Sequence, residues 1–126
     1  MHVPNHLKFV RLKDKGRAIF AKKLIKSGEV IFQMKGHTAD DANSSPESLQ
    51  IDEDRFLDSK YYHADDYINH SCEPNSYWDF ENLQVKALKY IKSITRIDAI
   101  RTEFFFKLKQ RFSRLAKICI FILLLF

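Results

Sequence analysis

The sequence predicts a mainly β domain of short strands in small sheets, with one α-helix at its C-terminal end. Three observations carry that prediction. Short β-branched and aromatic runs recur between turn signals spaced about ten residues apart. From Arg101 the apolar residues change to helical spacing, at Phe104, Phe105, Leu108, Phe112, Leu115 and Cys119, with Lys and Arg between them. A chain of 126 residues, 45% hydrophobic and 29% charged, has material for one globular core rather than two.

The elements follow in order. Leu7 to Leu12 alternates and predicts an edge strand. Asp14-Lys15-Gly16-Arg17 is a turn in which Gly16 takes a positive φ at no steric cost, and residues 18–21 form a short apolar strand. Lys26-Ser27-Gly28-Glu29 predicts a second turn, then a strand over 30–35 that Gly36 closes. Residues 37–47, rich in Asp, Ala, Asn and Ser around Pro46, read as a surface loop. Leu49-Gln50-Ile51 is a brief strand and 52–58 a charged turn. Tyr67-Ile68 is a short strand, and residues 77–80 and 85–88 alternate around Asn82 as a hairpin. No internal repeat is visible.

Charge is segregated. Residues 1–36 hold nine Lys/Arg against two Asp/Glu, residues 37–81 two against twelve, and residues 82–126 ten against two. The overall +5 is therefore a poor argument for nucleic acid, and no aromatic-basic RNA-binding signature accompanies it, so no specific nucleic-acid partner is expected. The acidic middle would draw in cations, although a solvated acidic loop explains the charge equally well. Cys72 and Cys119 are too few for a disulfide framework, and no apolar segment follows Met1. Both point to an intracellular setting, with cytoplasm and nucleus not distinguished. The final apolar run, residues 118–126, is shorter than the roughly twenty residues a bilayer span needs. A helix packed on the domain is expected ahead of one lying on anionic lipid.

The most informative stretch is Asp66-Tyr67-Ile68-Asn69-His70-Ser71-Cys72-Glu73-Pro74-Asn75. It gathers two amides, an imidazole, a hydroxyl and a thiol around one proline, in a loop that neither helix nor central strand can continue through. Cys72 with His63 and His70 gives the spacing His-x6-His-x-Cys, which matches no ordinary zinc pattern and lacks a CxxC partner, so no metal is expected.

Asn69-His70-Ser71-Cys72-x-Pro74-Asn75 resembles the signature of the SET domain, the fold of many protein-lysine methyltransferases. Lys15-Gly16-Arg17-Ala18-Ile19-Phe20-Ala21, then Ile25-Lys26-Ser27-Gly28-Glu29-Val30-Ile31 and Gly36, resemble the family's N-terminal pattern. The resemblance implies a SET-type β-clip over residues 7–92, with 93–126 an atypical basic and apolar tail, expected to be helical. It also implies S-adenosylmethionine as cofactor and a lysine of a basic protein or peptide as methyl acceptor. The loop Gly16, Arg17 and Ala18 would hold the methionine part of the cofactor. Asn69 and His70 would hold its amino end and adenine, largely through the main chain, and Asn69 can offer both an acceptor and a donor. Tyr61, Tyr62 and Trp78 are candidates for aromatic channel walls.

The resemblance breaks after Lys92. The family continues with a Gly-Glu-Glu turn and an Asp-Tyr pair whose tyrosine supplies the catalytic hydroxyl. Here Ser93-Ile94-Thr95-Arg96-Ile97-Asp98 is followed by Ala99. Ala18 also stands where a second glycine is common, and Met34 where a tyrosine often is. The catalytic group is therefore unassigned. Tyr67 is the remaining candidate, against the competing reading of a core tyrosine. The expected function is methyl transfer impaired by the missing C-terminal segment, or alternatively a non-catalytic module that binds cofactor or peptide. The compositional shift past Lys92 is what a reading-frame change, a decayed gene or a genuine replacement helix would produce.

Overall fold

The computed structural model describes residues 3–14, 16–40, 48–59 and 63–102. Strands dominate these residues, in four small sheets. β1 (Leu7–Leu12) and β2 (Gly16–Ala21) form an antiparallel hairpin in which Leu7 faces Ala21 and Leu12 faces Gly16. β3 (Val30–Gln33) pairs with β9 (Gln84–Ala87), and β9 with β8 (Ser76–Asp79), all antiparallel. A third sheet holds β4 (His37–Asp40), β6 (Arg55–Asp58) and β5 (Leu49–Gln50), in that order. A 3-10 turn, Ala64–Tyr67, leads into β7 (Asn69–His70), which runs parallel to β10 (Asp98–Ala99).

Between these small sheets lies one apolar core. Ile19, Ile25, Ile31, Ile91, Ile97 and Val85 are at most 1% exposed. Branched side chains suit this task, because they are stiff at χ1 and fill the pleated faces of short strands. β1 and the β8–β9 hairpin follow the alternation in the sequence, and β2 and β3 fall on the apolar and β-branched runs expected to be strands.

Two readings are corrected. Residues 37–40 and 55–58, taken for a loop and a charged turn, pair as β4 and β6, from His37 opposite Asp58 to Asp40 opposite Arg55. Their polar composition hides the strand, which is set by Leu57, 4% exposed on the inner face, and by Gly36. At Gly36, φ is +149, and a Cβ would clash with the Asp58 carbonyl oxygen, so only glycine lets the backbones approach this closely. Tyr67 belongs to the 3-10 turn rather than to a strand, and the strand begins at Asn69. The expected C-terminal helix lies outside the described residues, as do Tyr61 and Tyr62.

A repeat also emerges that the sequence reading did not recognise. Ala21-Lys22-Lys23-Leu24-Ile25-Lys26-Ser27-Gly28 and Ala87-Leu88-Lys89-Tyr90-Ile91-Lys92-Ser93-Ile94 share Ala, Lys, Ile, Lys and Ser in register. The copies pack antiparallel about Ile25 and Ile91, whose N–H groups each donate to the other's carbonyl at 2.9 Å. The surrounding bonds repeat as well. Ser27 Oγ donates to the Leu88 carbonyl at 3.2 Å, and Ser93 Oγ to the Lys22 carbonyl at 2.9 Å. The Gly28 N–H donates to the Ala87 carbonyl and the Ile94 N–H to that of Ala21, both at 2.8 Å. The two turns therefore share one left-handed corner, with φ +82 at Gly28 and +67 at Ile94. The missing glycine turn is present in shape, built on a β-branched residue that adopts this region rarely.

Candidate functional site

Past this turn the chain runs between β2 and the Asn69–Asn75 loop. The Ile97 N–H donates to the Ile19 carbonyl at 2.8 Å on one side, and the Ser71 N–H to the Ala99 carbonyl at 3.0 Å on the other. Three side chains hold this strand from below. Asn75 donates through Nδ2 to the Arg96 carbonyl (2.7 Å) and accepts through Oδ1 from the Asp98 N–H (3.0 Å). Ser76 Oγ donates to the Asp98 carbonyl (2.6 Å), and Trp78 Nε1 to that of Ile100 (2.8 Å). These three bring the segment through residues 95–100 against the loop, although its sequence departs from the family pattern. Trp78, considered as a channel wall, spends its indole N–H on this lock and stacks on Phe80 at 6.1 Å.

The loop and the glycine corner meet directly. Asn69 Nδ2 donates to the Arg17 carbonyl at 3.0 Å. A carbonyl only accepts, so this bond sets the amide's orientation and leaves Oδ1 as the acceptor. Gly16 is at φ +71, and a Cβ built there would meet nothing within 4 Å, so the corner borders open space. Ala18, behind it, is fully buried opposite Val10. Its methyl sits in the core, where a glycine would leave a gap.

The parallel register divides the roles of Asn69 and His70. With the Ser71 N–H on the Ala99 carbonyl, alternation turns the main chain of Asn69 toward β10 and that of His70 toward the opposite edge of β7. Asn69 thus presents its side chain to the corner, and His70 its main chain. The His70 ring is held on both sides. Nδ1 accepts from the Arg101 N–H at 2.9 Å, so the ring hydrogen sits on Nε2, which lies 3.4 Å from Cys72 Sγ.

Tyr67 closes the corner. Its ring meets Phe9 edge-on at 5.0 Å, the Arg17 guanidinium lies 5.7 Å from the ring centre, and Arg17 Nη1 donates to its hydroxyl at 3.4 Å. Ala99 is 1% exposed beside His70 and carries no hydroxyl. Met34 is 2% exposed in the core. Among the described residues, no three His, Cys, Asp or Glu side chains converge on a point that could hold a metal. A separate cavity of 170 Å³ is lined by Pro4, Phe32, Gln33, Lys35, His63 and Ala64, none of them at the corner.

Two features had no reading in the sequence. The bracing role of Asn75 was legible only as an Asn after Pro in the loop, since its partners lie more than twenty residues away. Asp65, next to Asp66 in an acidic stretch, reads as surface but is 8% exposed, with Oδ1 unbonded among the described residues. Burial first, then the Asp66 charge, raises its pKa from 3.8 to about 7, against the lowering effect of its own backbone hydrogen bond.

Comparison with known proteins agrees with this geometry. The family model for the SET domain matches residues 16–97. No curated protein matches the chain. Among solved structures, one similar fold is KRYPTONITE in complex with mCHH DNA, an H3(1–15) peptide and SAH, with TM-score 0.63 and 22% identity over 75% of this chain. Another is KRYPTONITE with mCHG DNA and SAH, with TM-score 0.65 and 21% identity over 75% of this chain. The chain spans 23% of the length of each. Both of those structures contain DNA, so they lend no support to the expectation that nucleic acid is not a partner. With the match running from the glycine corner to the braced strand, the chain belongs to the SET-domain family, a family of methyltransferases.

Proposed function

We propose that the chain binds S-adenosylmethionine where Gly16-Arg17-Ala18 meets Asn69-His70, and serves methyl transfer to a lysine of a basic protein or peptide. The observation that carries this is the hydrogen bond from Asn69 to the Arg17 carbonyl, which joins the two motifs into one corner. The donor set fits the ligand. Asn69 Oδ1 accepts from the ammonium of its methionine part, and the Arg17 guanidinium complements the carboxylate. The His70 main chain, turned away from β10, suits the hydrogen-bonding edge of adenine. The open space beside Gly16 lets the backbone approach a bulky ligand. SAH in the KRYPTONITE structures is consistent with this reading.

When bound, the cofactor supplies an electrophilic methyl group on sulfur. The protein's part is to hold a neutral lysine ε-amine in line and exclude water. Asp66 and Glu73, exposed on either side of the Asn69–Cys72 stretch, favour a cationic peptide. The H3 peptide bound by KRYPTONITE is such a ligand. Tyr67 sets its hydroxyl 3.4 Å from Arg17 Nη1 at the corner, and Ala99 offers none, so turnover is expected to be impaired.

Ala99 favours a second reading, a non-catalytic module that binds cofactor or basic peptide. Calorimetric titration with S-adenosylmethionine, followed by labelled methyl transfer to an H3(1–15) peptide, separates the two. Binding with slow transfer supports impaired catalysis, and binding with no transfer supports the module. Transfer at ordinary enzyme rates, about 1–10³ per second, would overturn impairment. Absence of cofactor binding would overturn the first reading and the cofactor-binding form of the second.

A further inference from the structure

The paired octapeptides build a second surface, away from the corner. Ile25 and Ile91 point inward and are each 1% exposed. Their neighbours point outward, because side chains alternate across a strand. Antiparallel pairing about Ile25 and Ile91 sets Leu24 opposite Lys92 and Lys26 opposite Tyr90. Such pairs lie close enough for the lysine stems to cover the apolar side chains. By the same alternation Lys22 faces outward, Lys23 and Lys89 flank the face two residues from the inward isoleucines, and all five lysines are exposed. Among the described residues none of the five forms an ion pair, and the nearby acid is Glu29, whose carboxylate accepts the Lys26 N–H at 2.9 Å.

The same face carries large apolar side chains held in water. Leu24 is 50% exposed, Tyr90 64% and Ile94 81%, the last at the tip of a left-handed turn. No internal packing requires them there. Five lysines around three apolar side chains match a surface that is anionic at its boundary and apolar beneath. Tyrosine suits such an interface, with its ring in the apolar layer and its hydroxyl in water. Nucleic acid fits less well. The face has no arginine for bidentate contacts, one aromatic ring for stacking, and two aliphatic side chains that a phosphate backbone would leave unsatisfied.

We propose that this pseudo-two-fold face, Lys22–Lys26 with Lys89–Ile94, docks the protein on an anionic phospholipid membrane surface. The lysines meet lipid phosphates and serine headgroups, while Leu24, Tyr90 and Ile94 enter the headgroup layer.

The test is co-sedimentation of the full chain with phosphatidylcholine vesicles, with and without phosphatidylserine. Binding is expected only where phosphatidylserine is present, and it should weaken with salt. At roughly fivefold per lysine, the combined Lys23→Gln, Lys26→Gln, Lys89→Gln and Lys92→Gln variant should lose several hundredfold in affinity. A Leu24→Ser, Tyr90→Ser variant should bind more weakly at every salt concentration. Both variants should keep the wild-type unfolding midpoint and S-adenosylmethionine titration, since the altered side chains are exposed. Vesicle binding that the lysine variant leaves unchanged would overturn the proposal and locate the contact elsewhere in the chain. Failure of the wild type to bind phosphatidylserine vesicles, with lysine-dependent binding to duplex DNA or RNA, would overturn it in favour of nucleic acid.

Discussion

Asn75 holds the crossing strand, and replacing it isolates that function. The side chain is 8% exposed and makes two bonds, to the Arg96 carbonyl at 2.7 Å and from the Asp98 N–H at 3.0 Å. Between those groups lies Ile97, which is fully buried, so water has poor access to replace the lost partners. Asn75→Ala therefore leaves one acceptor and one donor unpaired, at about 1–3 kcal/mol each. The expected loss is about 3 kcal/mol, a large part of the roughly 5–15 kcal/mol that a domain commonly has. In urea, with a slope of about 2 kcal/mol/M, the midpoint should fall by about 1.5 M while the slope stays constant. Asn75→Asp keeps the acceptor for Asp98 but turns a second acceptor on the Arg96 carbonyl, so it should not restore the midpoint. A midpoint for Asn75→Ala within about 0.3 M of wild type would refute the reasoning, because the strand would then be held without the amide.

Three further outcomes follow. Ile94→Gly should stabilise the protein by about 1 kcal/mol, raising the melting temperature by roughly 4 °C, because it relieves a β-branched residue at φ +67 whose exposed side chain gives up little packing. An unchanged or lower melting temperature by calorimetry would count against that strain. Gly36→Ala should destabilise by several kcal/mol, since the new Cβ meets the Asp58 backbone, with its carbonyl carbon at 3.1 Å, and denaturant melts would show it. Asp65 makes stability fall as pH rises from about 4 to about 7. Its carboxyl stays protonated in the folded protein after it has ionised in the unfolded chain. Asp65→Asn should therefore stabilise by about 2–4 kcal/mol above pH 7 and by little near pH 4, and a gain independent of pH would contradict the assignment.

The sequence disclosed the parts of the fold that rest on local pattern. Alternation gave β1 and the β8–β9 hairpin, apolar and β-branched runs gave β2 and β3, and turn chemistry gave the corners at Gly16 and Gly28. It missed β4 and β6 because their exposed positions are polar and their pairing depends on a glycine contact across the chain. The octapeptide repeat escaped because each copy reads as an ordinary turn. Only the Ile25–Ile91 pairing shows that they are halves of one unit. At the site, the residue types of Gly16, Arg17, Asn69 and His70 were legible from motif spacing. Their meeting was implied by the family resemblance, but the means was not legible, since it rests on the Asn69 bond to the Arg17 carbonyl and on residues 95–100 passing beneath the loop. The split between the side chain of Asn69 and the main chain of His70 follows from strand register, which no residue type announces.

Calorimetric titration of S-adenosylmethionine into the wild-type protein and Asn69→Ala tests most directly whether the two motifs form one binding corner. The substitution removes both the bond to the Arg17 carbonyl and the acceptor for the ligand's ammonium. Saturable binding by the wild type, weakened about tenfold or more in Asn69→Ala with little change in melting temperature, is the predicted result. Equal affinity in the two proteins, or no binding by the wild type, would contradict it.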